Sequence, residues 1–316
     1  VSRVYFAKGA RGDLIRKLQQ RLTARGFDTQ GIDGVYGNDT QAAVEAFQQA
    51  HGLALPGGVD DVTWERLMGA AIPGLRDRSL QLTATFEGHG FTLAQGNFDG
   101  AGITWGIIGF TLKHGELGKI ILDVFNRRPE LVKEAFGNKT GELLAMMKAS
   151  LKKQLAWANS ISLGASKARL AEPWRSAFQR FGEMEEVQRV QLALADRDYF
   201  QPALATAGQF DLATELGLAL AFDIHVQNGG IKPSARAQIE RERQEHPIAS
   251  ERDLRVIIAN AVADKSSAPF REDVRSRKLT IAAGAGKVHG STFLLRNWGL
   301  DEITFGPLTV AGAASG

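Results

Sequence analysis

Two carboxylates, Glu87 and Asp99, are followed closely by a hydroxyl, Thr104, and an indole, Trp105. Cleaving a glycosidic bond takes a carboxylic acid that protonates the leaving oxygen and a carboxylate on the other face of the sugar that activates water or attacks. Glu87 follows Leu80, Leu82, Ala84 and Phe86, a run that ends where a helix meets the core, and partial burial favours the protonated form of a carboxyl. Asp99 lies in Asn97-Phe98-Asp99-Gly100-Ala101-Gly102, the composition of a tight, wetted turn in which a carboxylate stays ionised. The pair therefore has the makings of a glycosidase acid and base. A plainer reading stands beside it, because a Glu in a helix and an Asp in a Gly-rich turn are commonly solvated or capping groups, and spacing alone does not separate the two.

The elements that must position these groups follow from pattern. Phe91 to Gln95 and Ile103 to Trp105 read as two short strands of a hairpin closed by the Asn97 to Gly102 turn. Such a hairpin sets Asp99 and Thr104 opposite the helix end that carries Glu87 and leaves a cleft, with Trp105 assigned to substrate binding. Beyond it, helical periodicity runs through Glu116 to Phe125, Pro129 to Phe136, Glu142 to Ala156, Met184 to Ala195 and Leu212 to Val226. Gln227 and Asn228 follow on the last of these, beside Gly229-Gly230, where helix-end amides either line a cleft and bond sugar hydroxyls or serve structure alone. His225 reads as a satisfied core histidine, and Asp196-Arg197-Asp198 as a buried ion-pair brace.

The segment Phe98-Asp-Gly-Ala-Gly-Ile-Thr-Trp-Gly-Ile-Ile-Gly-Phe110 resembles the signature of the family 46 chitosanases, a branch of the lysozyme-like fold. Softer likenesses continue in Asp196 to Leu204, Phe222 to Gly229 and Glu251 to Asn297, so the resemblance covers most of residues 79 to 305. It implies Glu87 as general acid, Asp99 as general base, Thr104 as a group that helps hold the attacking water, and inversion at the sugar. Phe98 stands where that family has Gly and Ile103 where it has Tyr, which puts the cleft floor and the substrate in question.

Residues 8 to 69 read as three helices, with Asp13, Asp39 and Asp61 as caps and Gly26 and Gly52 ending the first two. The pattern Leu-Gln-x-x-Leu, Asp-Gly-x-Tyr-Gly-x-x-Thr, Ala-Val-x-x-Phe-Gln is similar to the three-helix peptidoglycan-binding module of bacteria. That family implies adhesion to cell wall, with Tyr36 and Asn38 in the exposed loop as contacts, although Tyr36 serves equally well as filling for a small core. The expected layout is mainly α: a three-helix module over residues 1–69, a linker over 70–78, a lysozyme-like α+β domain with a short active-site hairpin over 79–307, and a flexible tail over 308–316. A short linker would keep wall polymer concentrated near the cleft.

Composition narrows the rest. The chain has 316 residues, 44% of them hydrophobic and 23% charged, a net charge of +3 and no cysteine. Disulfides, thiolate metal sites and a Cys nucleophile are excluded. A pI near 9.1 suits an anionic polymer such as the cell wall and is too weak for nucleic acid. The six histidines lack zinc-ligand spacing, Gly284-Ala-Gly-Lys287 lacks the first Gly and the Ser/Thr of a phosphate loop and reads as a turn, and no Gly-x-Ser-x-Gly elbow occurs. His89, two residues after Glu87, either tunes that carboxylate or faces solvent. The expectation is a monomeric muramidase without cofactor that binds and cuts peptidoglycan and does not insert in membranes. No signal peptide is visible, and the layout looks like a phage endolysin, bacteriolytic and antimicrobial, made in the host cytoplasm and acting on the wall after release. A lytic transglycosylase, a chitosanase and a non-catalytic wall-binding protein are the alternatives.

Overall fold

The computed structural model describes residues 2–88, 90–245 and 247–306. The chain is mainly helical and divides into two compact units, one holding the residues up to Leu82 together with those from Phe200 onward, the other Thr83–Tyr199. His89 and the tail 308–316 lie outside the described residues.

The first unit begins with β1 (Val4–Phe6), α1 (Asp13–Ala24), α2 (Asn38–Ala50), β2 (Val59–Asp60) and α3 (Asp61–Met68), with β1 and β2 antiparallel. Ile15, Leu18 and Leu22 recur on one face of α1 and are buried with Val44, Phe47 and Leu67, the helical spacing of an apolar stripe. The helix starts differ from expectation by one residue at α1 and α3 and by two at α2. Gly12 and Gly37 precede α1 and α2 without a side-chain cap, and Asp60, not Asp61, caps α3 by accepting from Thr63 N at 2.8 Å. Gly12 is required where it stands: its φ is +116° and a Cβ would fall 1.9 Å from Gln81 Nε2. The loop before α2 is closed by Gln19, fully buried, whose amide reaches Asp33, Val35 O and Thr40 while its oxygen takes Gly34 N.

Helix α4 (Leu75–Glu87) follows, so residues 75–78, expected as linker, form its first turn. The chain enters the second unit within this helix. There come β3 (Ala94–Gln95), β4 (Thr104–Trp105) and β5 (Phe110–Thr111), a three-stranded antiparallel sheet in that order. The expected hairpin is present, and β5 is an added third strand. Helices α5 (Glu116–Arg127), α6 (Pro129–Phe136), α7 (Thr140–Met147) and α8 (Leu151–Ser160) lead to the hairpin β6 (Ser162–Leu163) and β7 (Arg169–Leu170), then α9 (Trp174–Glu183) and α10 (Glu185–Ala195). The stretch expected as one helix from Glu142 to Ala156 is two, broken after Met147. The core is aromatic: Trp105, Phe136, Phe178 and Phe181 contact one another with centroids 5.0–6.0 Å apart, an added attraction beyond area burial.

The chain returns to the first unit with α11 (Gln201–Gln209), α12 (Glu215–Asn228), α13 (Pro233–Glu245), α14 (Glu251–Asp264), α15 (Arg271–Ala283) and the hairpin β8 (Ala285–Val288) and β9 (Ser291–Leu294). Gly284 ends α15 and β8 begins at once, so Gly284 to Lys287 is more strand than turn. Helix α12 is buried on all sides from Leu216 to Ile224, as a helix apolar all round must be. Its first residue, Glu215, is 4% exposed and takes Arg78 at 2.7 Å, Arg3 through both oxygens, and Asp301 N at 3.2 Å. Trp298 Nε1 donates to Arg11 O and Asn297 Nδ2 to Lys8 O at 2.7 Å. The N-terminal module is thus packed into the unit formed by the last third of the chain.

Candidate active site

The turn that carries Asp99 is held by its own polar side chains. Asp99 Oδ1 accepts from Ala101 N and Asn97 Oδ1 from Gly102 N, each at 2.9 Å, the local bonding that makes Asx residues turn formers. Asn97 N donates to Ser162 Oγ at 2.9 Å, and Gly96 N to Ala168 O at 2.9 Å, which fastens the turn to the β6–β7 hairpin. No side chain fits at Gly96, where a Cβ would lie 2.3 Å from Lys167 O. Asp99 itself is exposed.

Thr104 and Trp105 are consecutive in β4, so their side chains leave opposite faces of the sheet. Trp105 takes the inner face. It is fully buried, donates Nε1 to Phe178 O at 2.9 Å and stacks on Phe181 at 5.5 Å. The assignment of Trp105 to substrate binding is therefore corrected: it is the anchor of the sheet on the aromatic core. Thr104 pairs in register with Gln95 and Thr111, and its Oγ1 is buried without a hydrogen-bond partner among the described residues.

Glu87 is the last residue of α4 and is half-buried, after buried Ala84 and Phe86. Gly88, at φ +67°, stops the helix there. Two positioning groups went unseen in the sequence. Gln191 on α10 is fully buried; its oxygen takes Ile107 N at 3.0 Å and its amide reaches Phe91 O at 3.3 Å, tying the segment after β4 to the one before β3. Glu116, the first residue of α5, accepts from Thr111 N and from the Tyr199 hydroxyl, whose proton is held more tightly by burial and by that carboxylate. Apolar spacing marks neither residue, since each acts on a partner distant in sequence.

Other expected site residues are placed elsewhere. Tyr36 is 1% exposed, its ring in the module core and its hydroxyl's proton held by burial, because Gly9 N and Ala10 O pin its backbone inward. The contact reading of Tyr36 is corrected to a core role, and Asn38 is exposed at the start of α2. Gln227 is engaged by Lys278 at 2.6 Å and Asp273 at 3.2 Å, and Asn228 by Ser266 at 3.4 Å, all in the first unit. Arg197 pairs with Asp198 at the surface, its side chain 65% exposed, so that motif is no buried brace. A fully buried ion cluster is formed instead by Asp223 with Arg277 and Lys278. Burial opposes ionisation of Asp223, but the two cations outweigh it and hold the carboxyl at about 2. His225 bonds Thr206 Oγ1 at 2.8 Å and is lowered by burial.

Residues 83–251, more than half of the chain, match glycosyl hydrolase family 46. The chain belongs to that family. It is a glycoside hydrolase, and Glu87, Asp99 and Thr104 all lie within the family 46 match. Residues 11–67 match a peptidoglycan binding domain. The N-acetylmuramoyl-L-alanine amidase CwlL of Bacillus licheniformis is 46% identical over 52 residues, a match that takes in 16% of this chain and only 14% of that relative. Among solved structures, a chitosanase variant of Bacillus subtilis MY002 complexed with 6 GlcN is 18% identical with a TM-score of 0.48, covering 70% of this chain and 98% of its own. A GH46 chitosanase of Gynuella sunshinyii in complex with chitotetraose is 19% identical with a TM-score of 0.46, covering 71% and 98%.

Proposed function

We propose that this family 46 hydrolase is a muramidase that cuts the sugar backbone of peptidoglycan. Glu87 gives its proton to the glycosidic oxygen as the bond from the anomeric carbon breaks. Asp99 takes a proton from the water that attacks that carbon from the opposite face, and the Thr104 hydroxyl orients this water. Inversion at the sugar follows from a single displacement.

The observation that carries the choice of polymer is the union of the wall-binding module with the hydrolase sequence through Glu215, a residue of the family 46 match that Arg3 and Arg78 grip from the N-terminal side. A hydrolase built around such a module works on what the module binds. Charge agrees. The segments touching the Asp99 turn carry exposed cations: Lys113, whose N bonds Ala101 O; Lys152 and Lys153 on α8, whose Leu155 lies against Gly102; and Arg169 on β7. A rim of this sign repels a polyamine such as chitosan and attracts a strand that bears peptide carboxylates.

The test is digestion of purified sacculi by the full chain, with mass spectrometry of the products. Reducing muramic acid ends are expected, and none from Glu87→Gln. Anhydromuramyl ends would make the enzyme a lytic transglycosylase. Cleavage of chitosan with intact sacculi would make it a chitosanase, and equal clearing by wild type and Glu87→Gln would remove Glu87 from the mechanism.

A further inference from the structure

Within the first unit, a cavity of about 410 Å³ lies where the module meets the C-terminal segment. One wall is β1 with Arg3 and the loop Pro56-Gly57; the other is the stretch after β9 with Arg296, Asn297 and Asp301. The walls are joined by Ala7 N to Asn297 O at 3.3 Å, by Asn297 Nδ2 to Lys8 O, and by Arg3 to Gly299 O at 2.7 Å. The loop is pressed onto β1 so closely that a Cβ at Gly58 would lie 2.6 Å from Phe6 O. The cavity is therefore shaped by both parts of the chain, and its size suits a small ligand.

Its lining carries opposite charges left over from the fold. Arg296 is exposed and makes no side-chain hydrogen bond or ion pair among the described residues. Asp301 is exposed, its Oδ1 accepts only the adjacent Glu302 N, and no cation pairs with it among the described residues. Arg3 is already committed to Glu215 and leaves about a quarter of its side chain open. A guanidinium and a carboxylate lining one cavity suit a ligand that bears a carboxylate and an ammonium together. A peptidoglycan stem trimmed to three residues ends in a diamino acid of that kind.

We infer that this cavity is a binding site for the zwitterionic end of a peptidoglycan stem peptide, with Arg296 on the carboxylate and Asp301 on the ammonium. It rests on the proposed substrate in taking peptidoglycan as the polymer. Neither the module nor the C-terminal segment holds the site alone.

Titration calorimetry of the full chain with the free tripeptide L-Ala-γ-D-Glu-meso-diaminopimelate tests it, since that probe has no glycosidic bond to cut. Wild type binds. Arg296→Glu weakens binding about tenfold or more, Arg296→Lys restores part of it, and acetylating the probe's side-chain amine costs wild type affinity but costs Asp301→Asn none. Thermal melts of both variants match wild type, because neither side chain supports the fold. Absence of binding by wild type, or equal binding by Arg296→Glu, overturns the site. Turnover of glycan strands stripped of their stems is read separately: it is unchanged in Arg296→Glu, and its absence in wild type counts against muramidase activity without touching the peptide site.

Discussion

Replacing Thr104 by Val should make the protein more stable and the enzyme slower, a combination that a purely structural threonine does not produce. The Thr104 hydroxyl is buried without a partner among the described residues, and leaving such a hydrogen bond unmade costs about 1–3 kcal/mol. Valine keeps nearly the same shape and removes the unpaired oxygen, so a gain of about 1 kcal/mol is expected. For a domain of this size that raises the melting temperature by about 2–4 °C. If the hydroxyl holds the attacking water in the transition state, its loss removes a hydrogen bond worth about 1.5–3 kcal/mol, which lowers kcat about ten- to a hundredfold with KM little changed. Thr104→Ser keeps the oxygen and should retain most of the rate. Differential scanning calorimetry and initial rates of reducing-end release measure both effects on the same samples. A destabilised Thr104→Val, or one with full activity, refutes the reasoning: the first would reveal a hydrogen bond the hydroxyl makes to the fold, the second a hydroxyl idle in catalysis.

Three further outcomes follow from Glu215, Asp223 and His225. Glu215→Ala strands Arg78, whose side chain is 5% exposed, and a buried charge left unpaired costs about 3–5 kcal/mol; the melt should fall by roughly ten degrees as one transition, whereas an unchanged melt would mean that the N-terminal residues hang free. Asp223, held at about 2 against roughly 3.9 when unfolded, contributes stability that is complete above about pH 4 and is lost as pH falls through 2. His225 acts earlier: burial lowers it in the fold, so the unfolded chain binds the proton first and stability starts to decline as pH drops below about 6.5. Urea melts from pH 7 to pH 2 should show both declines in wild type, and Asp223→Asn, less stable at neutral pH, should lose the lower one; an equal slope between pH 4 and 2 in both proteins contradicts the assignment.

What the sequence made legible was local. The Asn97 to Gly102 turn could be read because its bonds join residues two and five apart, and α6 because Pro129 and Gly137 bracket it. The start of α1 differs by a residue because close packing needs Gly12 where pattern reading seeks an acidic cap. Trp105 was misread for a different reason. An aromatic beside a presumed catalytic hydroxyl looks like a sugar platform, yet neighbours in a strand must part to opposite faces, and only the position of Phe178 and Phe181 decides which face is the core. Gln191, Glu116 and Glu215 were illegible because their partners lie up to 212 residues away, and a lone buried polar group has no signature until the fold supplies its partner.

The grip of Arg3 and Arg78 on Glu215 bears on how the N-terminal module acts. A module on a flexible linker raises local substrate concentration by an amount set by linker length, and any nearby strand will serve. Here Leu14 N bonds Gln81, Trp298 bonds Arg11 O, and Arg3 and Arg78 share one buried carboxylate, so the module cannot swing about residues 70–74 without breaking contacts on α4, α12 and the C-terminal segment. Adhesion by such a module presents the wall in one orientation to the rest of the first unit. Under the proposed function, the gain is then in orienting a bound strand on the first unit rather than in merely holding one nearby. That is why the junction between module and C-terminal segment, more than the module's exposed loop, is where selectivity for the polymer would be written.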